Sequence, residues 1–165
     1  MHETTATLYA DNLPRSEPNT GQQGSLSAMS STSRFDHIIV VSHTNDGDGD
    51  PIAEQMLTLA REAVEACGKC VILHDARAMT VASESYARAF ARAFSHLKAM
   101  PDVTMMACVP RAVPRMFARV ATRLGGVAMP VFPDADQLCA ALRQSDPDTL
   151  GRLQQAGLCP AVQAA

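Results

Sequence analysis

From Phe35 onward, four short apolar runs punctuate the chain: HIIVVSH (37–43), CVILHD (70–75), VTMMACV (103–109) and AMPVF (128–132). Each has the length and the Val, Ile or Met content of a buried strand, and the segments between them carry apolar residues at helical spacing. In the first segment Ile52, Met56, Leu59 and Ala63 share one face, while Glu54, Arg61, Glu62 and Glu65 fall elsewhere. Gly68 is placed to end that helix. The second segment aligns Tyr86, Phe90, Phe94 and Leu97, with Ser83 or Ser85 as N-cap and a stop before Pro101. The third, near 112–124, aligns Val113, Phe117, Val120 and Leu124, with Pro114 tolerated in the first turn. The fourth opens with Asp134 and Gln137 in capping-box spacing and offers Leu138 and Leu142 for burial.

Continuous apolar strands alternating with helices predict an α/β fold. The expected form is a four- or five-stranded, mainly parallel sheet in βαβαβαβα order, with right-handed crossovers. Residues 1–33 are rich in Ser, Thr, Asn, Gln, Pro and Gly without periodicity, and read as a disordered arm. Met29 stands just before the ordered sequence, which suggests it as the native start. The α/β domain is expected over 34–145, followed over 146–165 by a short helix, Pro147 to about Ala156, and a flexible tail.

The 165 residues, 47% hydrophobic and 19% charged, suffice for one domain with a real core. Tryptophan is absent and aromatics make 4%, so Ala, Val, Ile, Leu and Met must build it. A net charge of −3 gives no general attraction to nucleic acid or anionic lipid. Five cysteines without a disulfide-like framework fit a reducing compartment. No basic start precedes an apolar stretch and no apolar run is long enough to span a bilayer, so a cytoplasmic protein without membrane insertion is expected.

The loop NDGDGDP (45–51) alternates Asp46, Asp48 and Asp50 with glycines. As an EF-hand it fails: a frame from Asp46 puts Pro51 at position 6 and Leu57 at 12, and one from Thr44 ends on Gln55. The residues are better explained as a turn, with Asp50 capping a helix whose first residue is Pro51. A haloacid-dehalogenase reading lacks the residue after the aspartates and the later motifs, and no glycine-rich phosphate loop follows the first strand. CGKC (67–70) has zinc or dithiol spacing, but it lies at a helix C-terminus, where the dipole has the wrong sign for thiolate, and no second pair accompanies it. His43, His74 and Asp75 all lie at C-terminal ends of predicted strands, the edge where open α/β sheets place ligands. With a loop aspartate they form a candidate metal or acid/base cluster. Arg111, Arg115, Arg119 and Arg123 recur every four residues without a balancing acid, as a solvated face or a dock for an acidic partner.

The strand and helix order, and above all CVILHDARAMTVASESYARAFARAF (70–94), resembles the sulphate-transporter and anti-sigma-factor antagonist (STAS) superfamily, particularly its small stand-alone bacterial members. MMACVP and MPVFPDADQLCAAL agree with the later strands and last helix of such domains, and the resemblance covers Phe35 to Leu142. It implies a strand ending in Asp75, a short loop and the N-terminus of the second helix, where phosphorylated antagonists carry a serine that switches partner binding. Counting without gaps puts Ser83 at the family's preceding Asp and Glu84 at the acceptor, with Ser85 just after, so Ser83 or Ser85 takes that role only by a one-residue shift. The related lipid-binding CRAL-TRIO branch lacks the serine.

The expected function is thus a non-enzymatic regulatory module without cofactor. It binds a protein partner through Asp75, the following loop, Ser83, Glu84 and Ser85, with Arg111, Arg115 and Arg119 as a second surface. The alternatives are a small metal-dependent or hydrolytic enzyme at His43, His74 and Asp75, and a small-ligand or lipid binder.

Overall fold

A computed structural model of the chain describes residues 30–45, 48–157 and 159. The expected arm through residue 29, Met29 as a start, Asp46 and the end of the tail lie outside the described residues. In chain order the elements are β1 (Ser31–Phe35), β2 (Ile38–Ser42), α1 (Gly49–Cys67), β3 (Cys70–Asp75), α2 (Glu84–Leu97), β4 (Val103–Cys108), α3 (Ala112–Gly125), β5 (Val131–Phe132), α4 (Ala135–Ser145) and α5 (Pro147–Gln155). The five strands form one sheet in sequence order, parallel except for β1, which pairs antiparallel with β2. The mainly parallel α/β sheet with alternating helices is what the chain forms.

β1 corrects the N-terminal boundary. Ser31–Ser33, given to the arm on composition, begin a hairpin strand whose side chains show no apolar alternation. The backbone ladder to β2 holds it, across a turn in which Asp36 adopts a left-handed conformation (φ 62°) that Asp tolerates better than most residues.

Strands that succeed one another across the sheet through crossovers of one hand place α1, α2 and α3 on a single face. There Ile39, Val41, Ile72, Met105 and Ala107 meet Met56, Phe90 and Phe94. The opposite face, with Ile38, Val40, Val71 and Leu73, is covered by Leu138 and Leu142 of α4 and by Leu150 and Leu153 of α5. The domain therefore runs past the expected boundary at residue 145, because α5 closes its second core.

Two local expectations change. Asp48, not Asp50, caps α1, its Oδ1 accepting the Asp50 amide at 3.1 Å. Pro51 is the third helical residue, where the missing N–H has no intrahelical acceptor to lose. At the other end Gly68 stops α1 as expected, in the left-handed region (φ 71°).

The larger change is in α3. Its buried residues are Pro114, Ala121 and Gly125, whereas Val113, Met116, Val120 and Leu124 are 49%, 56%, 44% and 64% exposed. The cause is the close approach of α3 to α2. A Cβ on Gly125 would stand 2.5 Å from Phe94 Cβ and 3.0 Å from the Ala91 carbonyl oxygen. Small residues must face α2, so the bulky aliphatics turn outward. Of the expected stripe, only Phe117 stays half-buried.

Candidate functional site

His43 follows β2, and His74 on β3 pairs with Val41 in the parallel register. Both side chains continue the face of Ile39, Val41 and Ile72, under α2. His43 Nε2 lies 3.0 Å from His74 Nδ1, and His43 Nδ1 lies 2.7 Å from the Tyr86 hydroxyl. The two imidazoles stack at 5.2 Å between centroids, with Phe90 and Phe94 edge-on to His74 at 5.7 and 5.4 Å.

Burial pushes the His43 pKa down to about 4, with the Asp75 charge opposing. Burial also drives His74 well below the ordinary range, and neighbouring His43 adds to this. Both rings are neutral at pH 7. A neutral imidazole has one N–H and one bare nitrogen, so the row Tyr86, His43, His74 has two self-consistent directions. If Tyr86 donates to His43, then His43 donates to His74 and His74 Nε2 carries a free N–H. If the row runs the other way, His74 Nε2 is a bare acceptor. In both cases that atom is the open end, buried and without a hydrogen-bond partner among the described residues. His74 lines a cavity of about 60 Å³, shared with His43, Tyr86 and Phe90 on one side and Phe117 and Ala118 of α3 on the other.

Asp75 does not join the histidines. The next residue along a strand points to the opposite face, and its carboxylate is held there by Arg77, through Nε at 2.9 Å, Nη2 at 2.7 Å and the backbone N–H at 3.1 Å. Burial works against the charge, but these bonds hold the Asp75 carboxyl below the usual range. The expected His43, His74 and Asp75 cluster is thus split by the sheet itself. Of the loop aspartates, Asp48 is taken by its cap and Asp50 by an ion pair with Arg92 of α2. Among the described residues no group of three or more His, Cys, Asp or Glu converges.

β3 ends at Asp75 and α2 opens at Glu84 after the loop 76–83, the order that the STAS resemblance implies. Ser83 is the N-cap, its hydroxyl accepting the Tyr86 amide at 3.1 Å and lying 3.0 Å from the Ser85 hydroxyl. Glu84 pairs with Arg88 one turn on, and all three positions from Ser83 to Ser85 are exposed. Asn45 pins the loop: its Oδ1 accepts the amides of Thr80 at 2.7 Å and Val81 at 3.1 Å. Arg111 donates to the Met79 carbonyl at 3.2 Å, tying the start of α3 to the same loop.

The arginines divide into two pairs. Arg115 donates to the carbonyls of Val109 and Pro110, so with Arg111 it anchors the helix start. Arg119 and Arg123 are exposed, with no ion pair among the described residues. They flank Met116 and Val120 on the outer surface of α3. Cys67 ends α1 and Cys70 begins β3, so the pair lies at the helix C-terminus that makes CGKC unsuited to a thiolate pair. Cys67 is exposed and donates to Asp36 Oδ1 at 3.2 Å; Cys70 is buried, and burial raises its pKa to about 11.

Sequence reasoning missed Tyr86 as partner to His43, although a buried tyrosine hydroxyl requires one. It also missed Met116 and Leu124 as surface residues, and Asn45, which carries no signal beyond being in a turn.

No family model matches the chain, and no curated protein matches it. Among solved structures it is similar to Moorella thermoacetica RsbS, at 16% identity and a TM-score of 0.42, over 78% of this chain and 99% of that one.

Proposed function

We propose that the chain is a non-enzymatic regulatory module that binds a protein partner with the outer face of α3. The observation that carries this reading is the outward arc of Val113, Met116, Val120 and Leu124, four of the six large hydrophobic residues exposed on the described surface. At about 100° per residue these four fall within one narrow sector of the helix, and Arg119 and Arg123 border it. An apolar strip edged by guanidiniums that make no ion pair among the described residues fits an amphipathic partner surface whose apolar ridge is flanked by carboxylates. The loop 76–83, exposed at Arg77, Ala78, Thr80, Val81 and Ser83, is tied to the start of α3 by Arg111, and a phosphate on Ser83 or Ser85 would stand at the N-terminus of α2. That edge is the second part of the proposed surface, with Asp75 shaping the loop through Arg77.

The test places a photo-crosslinking residue at Met116 and, as a control, at Glu65 on α1, in native cells, and identifies adducts by mass spectrometry. The purified adduct partner is then titrated with wild type and with Arg119→Glu/Arg123→Glu. The reading expects an adduct from position 116 alone, and at least about tenfold weaker binding by the charge-reversed variant, equivalent to about 1.4 kcal/mol. Equal adducts from both positions, or binding indifferent to the reversal, overturn it. Binding of the same face to anionic vesicles without any protein adduct would replace it with a membrane reading.

A further inference from the structure

We propose that the cavity between the sheet, α2 and α3 binds a small, mainly apolar alcohol, whose hydroxyl pairs with Nε2 of His74. The inference stands apart from the docking role of α3, since it rests on the inner wall of that helix. A buried polar atom normally finds a hydrogen-bond partner, and His74 Nε2 has none among the described residues. The His74 side chain borders space of about 60 Å³, and about 10–15 Å³ admits one water, so a group of roughly four to six heavy atoms fits.

Water is a poor occupant. An internal water needs two to four polar partners, and both nitrogens of His43 and the Tyr86 hydroxyl are already engaged in the row. The remainder of the wall is apolar, with Met79, Ala82, Phe117, Ala118, Ala121 and Met129. A molecule with one hydroxyl and a hydrocarbon body satisfies both features at once. The hydroxyl suits either direction of the row, accepting from Nε2–H or donating to bare Nε2. An ion does not suit the site, because its lining has no charged side chain. Ala118 and Ala121 on α3 are what leave the space open.

The full chain, with 15N-labelled histidine, is titrated with cyclopentanol and with methylcyclopentane, a hydrocarbon of the same heavy-atom count, while the imidazole nitrogens are followed by NMR. The expected result is a saturable shift of His74 Nε2 with the alcohol. In His74→Leu, followed through the His43 nitrogens, the ratio of alcohol to hydrocarbon affinity falls about tenfold, the scale of one hydrogen bond. Ala118→Met, which fills the space from α3 and leaves the histidines in place, removes the saturable shift while the spectrum stays dispersed. No saturable shift up to the solubility limit, an affinity ratio unchanged in His74→Leu, or undiminished binding by Ala118→Met would each overturn the proposal. The first of these outcomes would assign the space to internal water.

Discussion

Lowering the pH from 7 to 5 should cost this domain stability through His43 and His74. In the folded chain the His43 pKa is pushed from the ordinary 6.5 to about 4 by burial, and His74 moves the same way. Between those two values the unfolded chain binds a proton that the folded chain refuses, so stability falls as pH falls. The contribution is fully present above the unfolded value of 6.5 and is lost progressively down to the folded value, below which it changes no further. For His43 alone the linkage gives about 2 kcal/mol lost by pH 5 and roughly 3 kcal/mol by pH 4, at 1.36 kcal/mol per pH unit. His74 adds in the same direction. The acids with lowered pKa values, Asp36, Asp75 and Asp146, lose their contribution only below their ordinary value of 3.8, outside this window. Against a typical total of about 5–15 kcal/mol the loss is large. The assay is urea unfolding at pH 7.5, 6 and 5 with wild type and His74→Leu. Wild type should lose at least about 2 kcal/mol, and the variant should show a shallower dependence. A wild-type stability equal at pH 7.5 and 5, or an identical slope in the variant, would refute the claim that these imidazoles are held neutral in the fold.

Three further outcomes follow from the packing and caps. Gly125→Ala should destabilise by about 1–3 kcal/mol in urea unfolding, since the new methyl meets Phe94 Cβ and the Ala91 carbonyl, neither of which is a flexible side-chain end. Asp48→Ala should cost about 1 kcal/mol through the lost cap, and Asp50→Ala less, because its ion pair with Arg92 is solvent-exposed; the reverse order would restore Asp50 as the cap. A thiol reagent at pH 8 should modify Cys67 alone in the native protein and all five cysteines after denaturation. Cys70, Cys108, Cys139 and Cys159 are buried, and burial, together with the hydrogen bond that the Cys159 thiol makes to Cys139, pushes Cys159 up to about 12.

The sheet was legible because a parallel strand buried on both faces leaves a continuous apolar run, as in CVIL (70–73), and because Gly68, Ser83 and Asp134 mark helix ends by local hydrogen bonding alone. β1 was not legible, since an edge strand of Ser, Thr and Ser is specified by the ladder it joins and not by its own side chains. The site was half legible. Strand ends brought His43 and His74 to one edge, but the period of two along β3 sends Asp75 to the opposite face. That period can be read from the sequence and argues against the three-residue cluster. The partnership of His43 with Tyr86, 43 residues apart, depends on how α2 lies across the sheet.

The inverted reading of α3 bears most directly on function. In the row of three helices on one face, α2 is flanked on both sides and buries eight of its fourteen residues. α3, also fourteen residues long, buries three, and the strand that follows it is only two residues long. A helix at the end of a row has one free flank by topology, yet topology does not decide what covers that flank. α1 occupies the opposite end of the same row, and its outward positions are Glu54, Gln55, Thr58, Arg61, Glu62 and Glu65, a polar surface that needs no cover. α3 presents Val113, Met116, Val120 and Leu124 in the equivalent situation. Glycine and alanine toward α2 already satisfy the internal packing, so the outward aliphatics contribute nothing to the fold that polar residues would not. Under the proposed function a partner would take the place of the next helix against these aliphatics, beside two arginines that make no ion pair among the described residues.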